Sequence, residues 1–342
     1  MRAVTYTRHG DASVVELAER PVPEPAAGEI RIRVAVSGVN PTDWKARSGA
    51  SGGSLAGETV PIHDGSGVID KLGPAVNGFG VGDRVWVTLA GDGRPASGTA
   101  QEYTVVPAER VFPLPAGTTF DLGAGIGIPA VTAHRALTVA EDGPTRLGPN
   151  ALGDRTVLVA GGAGAVGNAA IQLARWAGAR VIATVSNDTK ARLASAAGAH
   201  HVVNYRDADA EEHIRGIVSA GVDVVVEVAA GANAALDLAV LKTGGTISIY
   251  ANDGGVSLDV DVGRNMRLNT RYQFVLVYTV GWDRIGAAAE NINHAIEDGA
   301  LAVGEESGLP LHHFTLEQTA AAHRAVEGGA TGKVLLQVGD LE

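Results

Sequence analysis

Thr156-Val-Leu-Val-Ala-Gly-Gly-Ala-Gly-Ala-Val-Gly167 decides how this chain is read. The apolar run Thr156–Ala160 reads as a strand, and the string Gly162-Ala163-Gly164-Ala165-Val166-Gly167 opens a helical pattern that continues to Trp176. Strand, glycine string and helix in this order form the dinucleotide-binding fingerprint. Gly162 serves a tight turn, Gly164 lets the backbone approach a pyrophosphate, and Gly167 lets helix pack on strand. Ala165 and Val166 lie at the helix N-terminus, whose free N–H groups and positive dipole end favour phosphate.

The next strand, Val181–Val185, ends at Ser186, where an NAD site carries Asp or Glu for the ribose 2′-hydroxyl. A serine there removes the repulsion that a 2′-phosphate would meet. Lys190 brings a positive charge nearby, although Asp188 lies between them. The expected cofactor is NADPH.

Outward from this motif, apolar strands alternate with helical patterns: Asp223–Val228, Asn233–Leu241 and Thr246–Tyr250 follow Thr189–Ala197 and Val202–Val203. Such a series predicts a parallel sheet covered by helices. Residues 1 to about 125 differ, with short β-branched runs broken by Gly and Pro: Ile30–Val36, Gly67–Lys71, Asp83–Thr88, Glu102–Val106 and Val111–Phe112. That half predicts a mainly antiparallel β domain. The fold class expected is α/β, a doubly wound parallel sheet with a second β domain. Past Tyr250 come a β-rich run, Tyr272–Val280, helical stretches near Ala287–Asp298 and Leu316–Gly328, and a last strand, Lys333–Val338.

Composition narrows the partners. The 342 residues are 45% hydrophobic and 19% charged with mean hydropathy +0.11, which suits a globular core. With 27 Lys and Arg against 38 Asp and Glu, the net charge of −11 disfavours nucleic acid and anionic membranes and leaves small molecules. The absence of cysteine excludes disulfides, thiolate nucleophiles and cysteine-containing zinc sites. Val157–Trp176 approaches a membrane span in length, but Asn168, Gln172 and Arg175 within it favour a buried strand feeding a helix. The N-terminus shows no leader pattern, so a cytoplasmic location is expected.

Several further segments, in order and spacing, resemble the medium-chain dehydrogenase/reductase superfamily, in particular its zinc-independent quinone oxidoreductase (zeta-crystallin-like) branch. They are Gly38-Val-Asn-Pro-Thr-Asp-Trp-Lys45, Pro61-Ile-His-Asp-Gly-Ser-Gly-Val68, Gly80-Val-Gly-Asp-Arg-Val85, Gly98-Thr-Ala-Gln-Glu-Tyr103 and Pro129-Ala-Val-Thr-Ala133. The resemblance covers nearly the whole chain. It implies a GroES-like domain over 1–126 completed by 288–342, a Rossmann domain over 127–287, and an active site in the cleft between them.

Zinc-dependent relatives hold their catalytic metal at positions that look like Asn40, His63 and Ile128 here, so no metal is expected. In the branch, Lys190 and Tyr205 look like the pair that holds the NADPH 2′-phosphate. An arginine of that clamp is replaced by Gly329, and Lys333 or Arg206 is the candidate to compensate. Thr132 and Asn252 look like residues bordering the nicotinamide.

A metal-free cleft needs only to orient an electron-poor acceptor and stabilise its developing oxygen charge. Asn40 offers an amide donor, and Lys45 a charged donor that also suits protonation of carbon. Trp44 and His63 are substrate-pocket candidates, the resemblance adds Tyr278 or Trp282 near the pocket mouth, and Asp43 reads as a capping carboxylate. His200-His201 and His312-His313 read as surface or loop histidines. Lysine at 45, where quinone reductases commonly carry tyrosine, widens the expected acceptors from quinones to enones and other α,β-unsaturated carbonyls. An enoyl-thioester or polyketide-tailoring reductase and a non-catalytic NADPH binder, crystallin-like or a sensor, are the alternatives. Loops Ala46–Thr59 and Ala90–Ser97 would shape the pocket. The β-rich run Tyr272–Val280 lacks polar alternation and would be hazardous as a free edge, so it is expected to be paired, either inside one chain or, as the resemblance implies, across a homodimer.

Overall fold

The computed structural model describes residues 1–341 other than Gly53 and Ala56, so part of the loop Ala46–Thr59 lies outside the described residues. Two compact units emerge, Met1–Ile128 with Leu311–Glu342, and Pro129–Pro310.

The first unit starts with an antiparallel pair, β1 (Arg2–Thr5) and β2 (Glu16–Glu19). Its long strand β3 (Glu29–Val39) alternates buried and open residues, then becomes fully buried. Helix α1 (Pro41–Ser48) follows at once, with Pro41 in the first helical turn, where its missing N–H is harmless. Next come β4 (Asp64–Leu72), β5 (Arg84–Val87), β6 (Tyr103–Pro107), β7 (Val111–Pro113) and α2 (Phe120–Leu137), which runs past the boundary between the units.

The second unit alternates β8 (Thr156–Ala160), α3 (Ala165–Trp176), β9 (Arg180–Val185), α4 (Asp188–Ala196), β10 (His201–Asn204) and α5 (Ala210–Ile217). It continues with β11 (Val222–Glu227), α6 (Ala230–Val240), β12 (Leu241–Ile249), α7 (Val262–Leu268), β13 (Arg271–Phe274) and α8 (Trp282–Glu297). Its six strands are all parallel in the order β10-β9-β8-β11-β12-β13. Leu158, Ile182, Val225 and Ile247 from adjacent strands share one buried cluster.

The chain then returns to the first unit through β14 (Leu311–Thr315), α9 (Thr319–Glu327) and β15 (Lys333–Gln337). The order there is β14-β15-β3-β4-β5-β7, antiparallel except between β14 and β15. Along one edge of β3, β6 pairs with Glu29–Arg33 and β15 with Val36–Val39.

Both expected architectures are present, with two corrections. The return to the first unit begins at Leu311 rather than 288, because α8 packs within the second unit. Ile285, Ala288, Ala289 and Ile292 are buried, and Asn291 Oδ1 accepts the Leu147 N–H at 2.9 Å and lies 3.0 Å from His134 Nε2. The run Tyr272–Val280 is not one strand. Parallel pairing ends at Phe274 opposite Ile249, where β12 stops, and Val277–Thr279 forms a single 3-10 turn. Among the described residues, no helix is long and apolar enough to cross a membrane.

Candidate active site

In the parallel unit the strand order switches direction between β8 and β11, and the carboxyl ends at such a switch point are where doubly wound sheets bind ligands. The left-handed residue of the turn after β8 is Gly161, with φ +70°, one position before the expected Gly162. Gly162 is needed for packing instead, since a Cβ there would lie 2.9 Å from that of Ala183. At Gly167 an added Cβ would sit 2.3 Å from the Gly161 carbonyl oxygen, so only glycine lets α3 approach the turn. Gly164 is the N-cap of α3, yet no side chain caps the helix, and a Cβ on Gly164 would meet nothing closer than 3.4 Å. Open space and the first N–H groups of α3 therefore coincide, and the residues fit a dinucleotide's pyrophosphate.

Ser186 follows β9 and is nearly buried. The register sets Asn204 opposite Val185, and the Tyr205 N–H donates to the Val185 carbonyl at 3.0 Å. Tyr205, 41% exposed, thus stands beside Ser186. Asn187 Oδ1 accepts the Lys190 N–H at 2.9 Å, which fixes Lys190 in the first turn of α4. Ser186, Lys190 and Tyr205 are brought together at one end of β9 and β10. Asn252 bridges to Ala229 beyond β11, Thr132 is buried in α2, and Tyr278 is half-buried in the turn after β13.

Sequence reasoning missed a buried acid pair under this end of the sheet. Glu227 Oε1 accepts the Ala229 N–H and Asn233 Nδ2, and Asp237 of α6 lies close by. Burial first, and for Asp237 then the charge of Glu227, raise both carboxyls above their ordinary range. An acid ending a strand with an amide six residues on was the available signal.

The first unit gathers a second set of candidates around Asp64, the first residue of β4. Its Oδ2 accepts Asn40 Nδ2 at 2.7 Å and the Ile128 N–H at 2.8 Å, and its Oδ1 accepts Thr88 Oγ1 at 2.9 Å. Lys333 Nζ donates to Asn40 Oδ1 at 2.6 Å and lies 3.9 Å from Asp64 Oδ2. Asn40 also caps α1, its N–H donating to Asp43 Oδ2 at 2.6 Å. Burial, reinforced by the charge of Asp64, pushes the Asp43 carboxyl up to about 8, and burial lowers Lys333. Two carboxyls share one ammonium in a dry site, so with both ionised the cluster would carry a net negative charge, and that repulsion adds to burial in raising Asp43.

This placement corrects two expectations. Lys333 is 2% exposed and committed to Asn40, so it does not reach for a 2′-phosphate. Asn40 is likewise buried with both ends of its amide engaged inward. Lys45 is half-buried on α1, its ammonium 5.9 Å from the centre of the Trp44 ring.

His63 follows Ile62, a β-branched residue held at φ +76°, a conformation such residues rarely adopt. Burial first, then the Arg110 charge, lowers the His63 imidazole to about 4 and keeps it neutral. The histidine doublets are at the surface, on or beside strands, with His200, His312 and His313 exposed: His313 Nε2 lies 2.8 Å from Asp121 Oδ2, and the Val181 N–H donates to His200 Nδ1 at 2.9 Å. A metal does not fit the first unit's cluster. Lys333 already places a cation there, Ile128 offers Asp64 only its N–H, and no group of three His, Asp or Glu among the described residues is placed to hold a metal ion.

Residues 26–116 match the alcohol dehydrogenase GroES-like domain and residues 165–293 the zinc-binding dehydrogenase family. The chain is 31% identical over 340 residues to a quinone oxidoreductase of Lama guanicoe, covering 98% of this chain and 97% of the relative. It belongs to the medium-chain dehydrogenase/reductase superfamily, in the quinone oxidoreductase branch. A 2-haloacrylate reductase of a Burkholderia species is 28% identical over 348 residues, covering 98% of each chain. A mycobacterial structure complexed with NADPH superposes with TM-score 0.81 at 28% identity, covering 98% of this chain and 99% of that one. Membership makes the protein an oxidoreductase, and the NADPH-bound neighbour supports binding of a nicotinamide cofactor.

Proposed function

We propose that this oxidoreductase uses NADPH, without a metal, to reduce quinones, enones or other α,β-unsaturated carbonyl compounds. The observation that carries this reading is Ser186 at the end of β9, in the place where an NAD site carries an acid. Ser186, Tyr205 and Lys190 offer a hydroxyl, a phenol and an ammonium to a 2′-phosphate, with no carboxylate on Ser186 to repel it. The relative's NADPH complex supports it.

The residues of the Gly161–Gly167 turn hold the pyrophosphate, and Thr132 and Asn252 border the nicotinamide. Reduced cofactor, when bound, supplies a hydride. The chain's own work is to orient the acceptor, stabilise charge on its oxygen and deliver a proton. Lys45 is the donor for the last two tasks; Trp44, His63 and Tyr278 are the substrate-side residues. The relative named 2-haloacrylate reductase supports an activated double bond as acceptor.

A homodimer completes the proposal. Among the described residues β13 ends the parallel sheet with an unpaired edge, and Phe274 and Leu276 beside it are 65% and 56% exposed. A second copy covers that edge.

The test follows oxidation of NADPH against simple quinones, cyclic enones and short and long enoyl thioesters, with NADH in parallel and EDTA as a metal control. Turnover of quinones or enones, faster with NADPH and indifferent to EDTA, is expected. Equal rates with NADH, loss in EDTA, or turnover of long thioesters alone would overturn the corresponding part.

A further inference from the structure

We propose that Lys333 is a positioning residue of the reduction, acting through Asn40 on the helix that carries Trp44 and Lys45. The proposal rests on the reading of α1 as the substrate-side helix. Lys333 lies on β15 in an otherwise apolar run, Val334-Leu-Leu336, and is fully buried. An apolar side chain would fill that place more cheaply, because a desolvated ammonium is costly unless its partners compensate it.

Its partners assign it a task. An asparagine amide has one accepting and one donating end, and which end points where is set by its neighbours. Lys333 Nζ holds Oδ1 at 2.6 Å, so Nδ2 must turn to Asp64 Oδ2 at 2.7 Å and the Gly38 carbonyl at 3.2 Å. The reversed amide would set its NH2 against the ammonium and its oxygen against the carboxylate. Only one orientation of Asn40 survives.

That orientation matters because Asn40 begins α1. Its carbonyl accepts the Asp43 N–H at 3.0 Å and its N–H donates to Asp43 Oδ2 at 2.6 Å. With eight residues, α1 is too short to hold itself. Its C-terminal turn is tied to α9 by Arg47 Nη2 and Glu327 Oε2 at 2.8 Å. Its N-terminal turn is tied through Asn40 to β4 and β15. Lys45 lies between these two anchors.

The experiment compares wild type, Lys333→Met, Asp64→Asn and the double variant. Lys333→Met leaves two buried carboxyls without their ammonium, and Asp64→Asn leaves Lys333 only the more distant Asp43, so each single change lowers the melting temperature whatever the role. The double variant removes both charges. The amide that replaces the Asp64 carboxylate can still accept from Asn40 and Ile128 and donate to Thr88, so the melting temperature of the double variant is expected to return toward wild type.

Its kcat is expected to stay roughly tenfold or more below wild type, with KM for the nicotinamide cofactor within about twofold. Recovery of kcat along with the melting temperature overturns the proposal and leaves Lys333 as a counter-charge. Amide hydrogen exchange of residues 41–48 gives a readout that needs no turnover. Faster exchange confined to α1 in the double variant supports the proposal even if wild type reduces no acceptor, in which case only the functional reading fails; unchanged exchange overturns it.

Discussion

The Tyr205 N–H donates to the Val185 carbonyl at 3.0 Å, and this single backbone bond seats Tyr205 beside Ser186. An acid introduced at Ser186 would face the same space. Ser186→Asp is expected to lower kcat/KM for NADPH by roughly tenfold to a hundredfold while sparing NADH. Initial rates with both cofactors decide it, and an unchanged NADPH:NADH ratio would mean that the 2′-phosphate lies elsewhere.

Two glycines of the turn separate folding from binding. Gly167→Ala drives a Cβ to 2.3 Å from the Gly161 carbonyl and is expected to destabilise the protein by about 1–3 kcal/mol. Gly164→Ala meets only a 3.4 Å contact, so it should melt like wild type yet bind NADPH more weakly. Thermal melts paired with fluorescence titrations check both; wild-type affinity in Gly164→Ala would remove that residue from the cofactor site.

Lys45→Met keeps the side chain's length and removes its charge. The expected result is a kcat lower by roughly a hundredfold with NADPH affinity unchanged. Steady-state kinetics on the best acceptor measure this, and a near-normal kcat would assign the proton to another donor.

His323 on α9 is buried, and among the described residues neither ring nitrogen has a hydrogen-bond partner. Burial first, then the Arg47 charge, lowers its imidazole to about 3. Below the ordinary pKa of about 6.5 the unfolded chain takes a proton that the folded chain refuses, so stability falls as pH drops from that value toward 3. Between pH 7.5 and 5 the loss from this group is about 2 kcal/mol. His323→Leu should flatten the stability profile by that amount in urea melts across this range; an identical pH dependence in both proteins would contradict the assignment.

Phe274→Asp places a charge on the edge proposed to be shared between two copies. Light scattering should find a monomer where wild type is a dimer, and a wild type that is itself monomeric would dismiss the interface.

The glycine turn was legible because local chemistry determines it: Thr156–Ala160 and Ala165–Trp176 form as strand and helix with the bounds the sequence suggests. Helix α2 was hidden by Gly123, Gly125, Gly127 and Pro129, residues that ordinarily argue against a helix. At Gly127 that choice is a tertiary demand, since a Cβ there would lie 2.3 Å from Asp64 Oδ1. The same distance from local signals concealed Lys333. Nothing in Gly332-Lys-Val-Leu-Leu336 marks a buried ammonium; only the pairing of Val334 with Val39, across nearly the whole chain, carries it to Asn40.

That pairing also sets an order of events during synthesis. β3 emerges early, but β15, which completes its edge, is made only after every strand of the parallel sheet, all of which lie between Thr156 and Phe274. The inserted unit can close while the first remains an open sheet with Asp64 uncompensated. A nascent chain ending at Pro310 is therefore expected to protect the parallel sheet from protease and leave β3 and β4 cleavable, so that emergence of β15 is the step that seals the first unit.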